Sequence, residues 1–290
     1  MNGPDFEEGP NSQIAEDEFF DAVETALDKL QEEQEFRDKL KMIGELSLNE
    51  SNAKALNHPL WNTIDETTNE QLHYARLQVG QDSVWELFAE DGEMKMYKRE
   101  EEIDGMVVDP LKALHQVQGV TARELCHYFF APEVRMEWET TLEQATVLEK
   151  ISDETLVFLQ LHKRVWPAAQ RDALFWSHQR CVSSDDESQT WIVCNKSTKH
   201  PNAPENQGNC LRVDLTVCFV CDTTVAPPYN WQNASRKHLT TKITYCSVVN
   251  PGGWAPASVL RAVYKREYPR FLKRFTQYVD EKCNQKPILW

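Results

Sequence analysis

The stretch Leu239-Thr240-Thr241-Lys242-Ile243-Thr244-Tyr245-Cys246-Ser247-Val248-Val249, followed by Asn250-Pro251-Gly252-Gly253-Trp254 and then Ala255–Val279, decides the fold. Its first part alternates apolar and polar residues, as a half-buried strand does. In its last part Leu260, Val263/Tyr264, Tyr268, Phe271/Leu272, Phe275 and Tyr278/Val279 recur every three or four residues and share one helix face. Arg261, Lys265, Arg266, Arg270, Lys273 and Arg274 take the rest of the circumference, and Pro269 is expected to kink the helix. A helix of about 25 residues with so wide an apolar face has to lie along something apolar, most simply the concave side of a sheet. Gly252-Gly253-Trp254 sets a large ring on a tight loop instead of inside an element.

The chain has 290 residues, 41% hydrophobic and 10% aromatic, enough for one sizeable core. No apolar run reaches the ~18–20 residues of a membrane span, and the N-terminus lacks a basic-then-apolar signal, so a cytoplasmic protein is expected. The eight cysteines are scattered, mostly within apolar strand patterns where a free thiol packs as a small hydrophobe. Cys218 and Cys221 have the spacing of a metal or redox pair, but no second pair accompanies them, and neither a metal nor a cofactor is expected. In a cytosolic chain the Asn-x-Ser triplets at Asn49, Asn195 and Asn233 carry no meaning.

The formal net charge of −15 is uneven: residues 1–50 hold fifteen acids and four bases, whereas residues 251–290 hold eight bases and three acids. An acidic arm therefore precedes a nearly neutral body with a basic end. The lack of a basic stripe interleaved with aromatics excludes nucleic acid as the leading partner. Residues 1–15 have the composition of a disordered segment, and residues 25–46 that of a solvated helix with pairs such as Glu33/Arg37. The polar break at 47–55 marks the boundary between the arm, residues 1–55, and one domain, residues 56–290.

Within the domain the order is a helix near 59–77, strands near 84–89, 93–99 and 111–118, and short helices at 121–130 and 132–139. Strands near 145–151, 154–163, 172–182, 189–197, 210–221 and 238–249 and the long helix follow. Thr121 and Glu124 have capping-box spacing. An α+β fold results, with a curved antiparallel sheet wrapped around a long C-terminal helix. Period-2 geometry puts Leu156, Phe158 and Gln160 on one face of their strand, Trp191, Val193 and Asn195 on another, and Leu239, Thr241, Ile243 and Tyr245 on the last. Gln160, Asn195 and Tyr245 thus point to the apolar side, where an unpaired polar group costs on the order of 1–3 kcal/mol. They hydrogen-bond to backbone and to one another, or they serve a ligand with a small polar head and long apolar tails. Glu139, after Trp138, is a fourth such residue.

Two segments resemble known families. Glu18-Phe19-Phe20-Asp21-Ala22-Val23-Glu24 fits the FFAT pattern at every fixed position, through Glu18, Phe19, Phe20, Asp21, Ala22 and Glu24, with an acidic lead-in. The plain alternative is a helix start with Phe20, Val23, Leu27 and Leu30 on one face. The FFAT resemblance implies docking onto VAP proteins of the endoplasmic reticulum, with the phenylalanines as anchors and the carboxylates as steering charges.

His162-Lys163-Arg164-Val165-Trp166-Pro167-Ala168-Ala169-Gln170-Arg171-Asp172, Trp191–Asn195, Lys242–Tyr245 and Asn250–Arg261 resemble START domains of the ceramide-carrying kind, over all of 56–290. The resemblance implies a helix-grip fold enclosing one lipid and no enzymatic step. It places ceramide head-group contacts on Glu139, Gln160, Asn195 and Tyr245, with Arg135 and His162 in support, and membrane contact on Trp166 and Trp254. It further implies a peripheral carrier of ceramide from endoplasmic reticulum to Golgi membranes. The pleckstrin-homology and serine-rich segments found in such proteins are not present in the sequence, so Golgi targeting has no residues of its own here. A START domain for another lipid, sterol or phosphatidylcholine, is the alternative; a sterol would not need four polar groups, and choline would call for an aromatic cage. A hydrolase is disfavoured by the lack of a Gly-x-Ser-x-Gly elbow or a phosphate loop.

Overall fold

In a computed structural model of the chain, the structure describes residues 55–79, 84–103, 106–164, 169–205, 210–253 and 257–290. The FFAT-like stretch, Trp166 and Trp254 lie outside the described residues. Helix α1 (Trp61–Arg76) is followed by β1 (Glu86–Asp91), β2 (Met94–Lys98), the two-residue strands β3 (Glu102–Ile103) and β4 (Met106–Val107), and β5 (Leu111–Gln118). Then come α2 (Ala122–Phe130), α3 (Pro132–Trp138), β6 (Leu142–Ser152), β7 (Thr155–His162), β8 (Arg171–Ser184), β9 (Ser188–Ser197), β10 (Leu211–Val225), β11 (Leu239–Asn250) and α4 (Ala257–Cys283).

Nine strands form one sheet in the order β1-β2-β5-β11-β10-β9-β8-β7-β6, and β3 and β4 pair separately as a small hairpin. Neighbours are antiparallel; where β9 ends, β8 and β10 meet in a short parallel pairing, Leu211 opposite Arg171. That contact departs from the purely antiparallel arrangement expected. It arises because both strands are antiparallel to β9, and outrunning β9 brings them edge to edge. The β3–β4 hairpin is also absent from the sequence reading, since two-residue strands carry no periodicity.

The sheet is covered on both faces. Its inner face meets α2, α3 and α4 around Phe129, Trp138, Phe219 and Phe275, which are buried. Phe129 stacks on Phe219 at 4.6 Å, and Phe275 meets both rings edge-on at 5.5 Å and Trp138 at 4.7 Å. The outer face meets α1 through Ile64, Leu174 and Trp176 and, further along, through Ala75, Ile192, Cys218 and Cys246. Alternation sends Cys218 to this outer layer and Cys221 to the inner one, so the two thiols do not share a face.

The one helix cap expected from the sequence is present. Thr121 and Glu124 form the capping box of α2. Glu124 also pairs with Arg236 at 2.8 Å, which in turn donates to the carbonyl oxygen of Lys286 at 3.0 Å. At the C-terminal end of α1 the buried Lys112 donates to the carbonyl oxygens of Tyr74, at 3.1 Å, and Leu77. An ammonium group suits that end of the helix dipole, and burial lowers its pKa.

Helix α4 runs through Pro269 without interruption, and the missing N–H leaves the Lys265 carbonyl without its intrahelical donor. Burial divides the helix: Leu272, Phe275, Val279 and Cys283 are fully buried, whereas Val259 and Val263 are exposed. The basic residues are less uniform than expected. Arg261 binds the buried Asp109 through Nε at 2.8 Å and Nη2 at 3.1 Å. Arg274 turns inward and donates from Nε to the Trp138 carbonyl at 2.8 Å.

Two stability outcomes follow from this packing. Phe275→Ala removes the ring shared by Phe129, Phe219 and Trp138 and should lower unfolding free energy by about 3–5 kcal/mol, read from urea denaturation. His178, buried beside Trp61 and 2.8 Å from Thr155 Oγ1, has its pKa pulled by burial from the ordinary 6.5 to about 4. The unfolded chain then binds the extra proton between those values, so stability is complete above pH ~6.5 and falls as pH drops, by about 3 kcal/mol near pH 4. His178→Gln should remove that part of the pH dependence when the two proteins are denatured in urea across the same range.

Candidate functional site

Between the inner face of the sheet and α4 lies a cavity of about 420 Å³. Each element delivers its share of the lining by its own period. β7 contributes Gln160, β9 contributes Asn195, and β11 contributes Tyr245, all buried. The strand partners leave room beside them: Ala173 lies opposite Gln160 and Ala113 opposite Tyr245. On β10, Val213, Leu215 and Val217 form an apolar floor at alternate positions.

The short helix α3 supplies the charged members. Arg135 and Glu139 are four residues apart and so come to the same side, Glu139 being the C-cap residue. The Arg135 guanidinium lies 4.8 Å from the Phe129 ring centre and 4.4 Å from that of Trp138, and Nη1 donates to the Phe129 carbonyl at 2.5 Å. Burial lowers the Arg135 pKa, opposed by the negative charge of Glu139. Glu139 Oε1 accepts from Thr141 Oγ1 at 2.7 Å and from the Thr141 backbone N–H at 3.3 Å, and Arg274 Nη2 stands 3.9 Å away. His162 Nδ1 is 3.4 Å from Thr141 Oγ1, and burial lowers the His162 pKa, favouring the neutral ring. Burial raises the Tyr245 pKa well above its ordinary value, which keeps its hydroxyl protonated.

All six candidate ligand residues thus line one cavity. Thr141 and Arg274 join them and were not singled out from the sequence. Thr141 lies just beyond the helix that carries Glu139. The helical wheel puts Arg274 off the apolar face of α4, because it gives the spacing of positions but not the rotation of the helix against its neighbours.

Several polar atoms in this wall lack partners. Asn195 Oδ1, Arg135 Nε and Tyr264 Oη are buried without a hydrogen bond, and each such atom costs on the order of 1–3 kcal/mol. Dry apolar walls with a few convergent polar groups recognise a small amphiphile by pairing its head and sheltering its tails.

At the far end, Val249, Pro251, Val263 and Tyr264 form an apolar mouth. Arg171 holds that mouth together, with Nε donating to the Pro251 carbonyl at 2.8 Å and Nη1 to the Ala169 carbonyl at 3.0 Å. Among the described residues no helix is long and apolar enough to cross a membrane, and no group of three or more His, Cys, Asp or Glu is placed to hold a metal.

The sequence pattern of the START domain matches residues 65–285. The chain is 49% identical over 296 residues to the Ceramide transfer protein of Cricetulus griseus, covering 100% of this chain and 49% of that protein. To the Ceramide transfer protein of Homo sapiens it is 45% identical over 322 residues, covering 100% of this chain and 51% of that protein. The chain therefore spans about half the length of the curated relatives it matches. Among solved structures, human STARD10 superposes with a TM-score of 0.60 at 17% identity, over 76% of this chain and 83% of that one. Human StAR-related lipid transfer protein 5 superposes with a TM-score of 0.56 at 17% identity, over 77% and 96%. With a START pattern across most of its length and the curved sheet and C-terminal helix of those structures, the chain belongs to the START domain family.

Proposed function

We propose that the chain carries ceramide between membranes, binding it in the cavity beneath α4 and exchanging it without breaking a bond. The observation that carries this reading is the convergence of Glu139, Gln160, Asn195 and Tyr245, from four separate elements, on one otherwise apolar cavity. Ceramide offers an amide N–H, a carbonyl and two hydroxyls. A carboxylate, two side-chain amides and a phenol match that mixture of donors and acceptors. Arg135 and His162 complete the set, and Thr141 and Arg274 orient Glu139. The relatives named Ceramide transfer protein support the choice of lipid. A bulky phosphocholine head would leave these groups unpaired, which disfavours it.

The same proposal gives the remaining segments their parts. Glu18, Phe19, Phe20, Asp21, Ala22 and Glu24 dock onto a VAP protein and hold the chain at the endoplasmic reticulum, where ceramide is extracted. Trp166 and Trp254, each a few residues from main-chain oxygens gathered by Arg171, enter the headgroup layer of the bilayer, where amphipathic rings partition well. The loaded protein moves through the cytoplasm and delivers its lipid to the Golgi. No catalytic residue takes part.

Extraction of the purified protein followed by mass spectrometry should return intact ceramide as the bound lipid. Sterol or phosphatidylcholine in its place would refute the assignment of cargo. Asn195→Leu keeps the volume but removes the amide. It should cut transfer of labelled ceramide between vesicles at least about tenfold, the worth of one head-group hydrogen bond near 1.4 kcal/mol. In delipidated protein the same change should raise the urea midpoint, because it removes the unpaired Asn195 Oδ1. A peptide of residues 13–27 titrated with a VAP domain should bind, and should lose binding when Phe19 and Phe20 both become Ala.

A further inference from the structure

The head-group end of the cavity carries more positive charge than a neutral lipid asks for. That end is built around the turn at 139–141, where α3 gives way to β6. Arg274 reaches it from α4, with Nε on the Trp138 carbonyl at 2.8 Å and Nη2 3.9 Å from Glu139 Oε1. Lys163, just beyond β7, donates its backbone N–H to the Thr141 carbonyl at 2.8 Å and its Nζ to the Thr140 carbonyl at 2.8 Å. Its side chain is exposed, so the cavity wall meets solvent at this rim. Arg135 comes from one turn back on α3, and its buried Nε has no hydrogen-bond partner.

Of the described charged side chains lining the cavity, Arg135, Lys163, Arg171 and Arg274 are positive and Glu139 and Glu267 are negative, four against two. Arg171 is engaged at the mouth, and Glu267 is paired with Arg266 at 2.6 Å. Three cations are thus left around one carboxylate, Glu139, which is itself held by Thr141 and faced by Arg274. The amide and hydroxyls of ceramide are dipoles and balance none of this excess. A cluster of one sign at the polar end of an apolar cavity draws an anion.

The primary hydroxyl of ceramide sits on C1, the end of the molecule opposite both chains. With the tails laid along Val213, Leu215 and Val217 towards the apolar mouth, C1 is directed to the other end, where these cations stand. Resting on the carrier reading above, we infer that the turn at 139–141 with Arg135, Lys163 and Arg274 is a phosphate subsite, and that the chain also takes ceramide bearing a phosphate monoester on its primary hydroxyl. Arg135 and Arg274 present planar donors to phosphate oxygens, and Lys163 has two ammonium protons besides the one on Thr140. The exposed position of Lys163 leaves room for the added group at the rim. Phosphocholine differs in its bulk and in bringing a cation of its own, which the same three side chains repel.

The test is calorimetric titration of delipidated protein with hexanoyl-ceramide, hexanoyl-ceramide 1-phosphate and inorganic phosphate, using wild type, Lys163→Glu and Lys163→Arg. Wild type should bind the phosphorylated lipid within about tenfold of hexanoyl-ceramide or more tightly, since charge-assisted hydrogen bonds offset the cost of stripping water from the phosphate. Lys163→Glu should weaken the phosphorylated lipid about tenfold, by loss of one attraction and gain of one repulsion at an exposed site, and leave hexanoyl-ceramide within about twofold. Lys163→Arg keeps the charge and should keep both affinities, a rescue that a merely structural role for Lys163 would not predict. The inference is overturned if wild type binds the phosphorylated lipid more than about tenfold more weakly than hexanoyl-ceramide, or if Lys163→Glu leaves the ratio of the two lipids unchanged. Inorganic phosphate binding as tightly as the phosphorylated lipid also overturns it, because the site then serves a free anion and not the cargo. Binding of neither lipid by wild type sinks the carrier reading itself, whereas binding of hexanoyl-ceramide alone sinks only the phosphate subsite.

Discussion

The stacking of Phe129 on Phe219, with Phe275 set edge-on against both, is the contact on which the rest of this structure depends. It joins α2, β10 and α4 at one point, and Trp138 brings α3 into the same cluster. Aromatic rings bury more area than any other side chains and favour these offset and edge-on arrangements. The consequence is that the fully buried positions of α4, Leu272, Phe275, Val279 and Cys283, all lie in its second half. Its first half, with Val259 and Val263 exposed, bridges the sheet instead of filling it, and the space beneath it is the cavity. Arg261 gives this half a polar fastening, through its bidentate contact with Asp109. A helix held by aromatics at one end and by an ion pair at the other can admit a lipid without losing its anchorage.

The polar groups in the cavity wall oppose that stability. Asn195 Oδ1, Arg135 Nε and Tyr264 Oη are each buried without a partner, and a fold selected for stability alone would replace them with apolar atoms. All three belong to residues that line the cavity. The electrostatics are consistent: Arg135 sits between Phe129 and Trp138 with its pKa lowered by burial, while the negative charge of Glu139 opposes the shift. Glu139 lies one helical turn from Arg135, and the cation that stands beside its carboxylate is Arg274, with Nη2 at 3.9 Å.

Much of this was legible in the sequence because strand geometry is strict. A period of two puts Gln160, Asn195 and Tyr245 on the apolar side, and all three line the cavity. The capping box at Thr121 and Glu124 was equally readable, since it depends on spacing alone. What could not be read depends on the third dimension. The inward turn of Arg274 follows from the rotation of α4 about its axis, and the double burial of the sheet follows from where α1 comes to rest. The parallel meeting of β8 and β10 depends on where β9 stops. The resemblance to START domains supplied the enclosing arrangement, which periodicity alone left as the most economical choice among several.

The mouth of the cavity is built largely from backbone contacts. Arg171 reaches the carbonyl oxygens of Ala169 and Pro251, so one guanidinium gathers two loops through their backbones. Gly252 and Gly253 adopt φ of +66° and +70°, where a side chain is strained. A Cβ there would come within 2.8 Å of the Arg212 carbonyl oxygen and 2.6 Å of Leu211 Cδ1. The loop can therefore lie flat against the start of β10 only because both positions are glycine. Contacts made by backbone oxygens and bare Cα atoms bury little apolar area, and segments of that kind open at lower free energy than a core held by rings. The fold thus places backbone contacts at the mouth and ring packing towards the far end of α4.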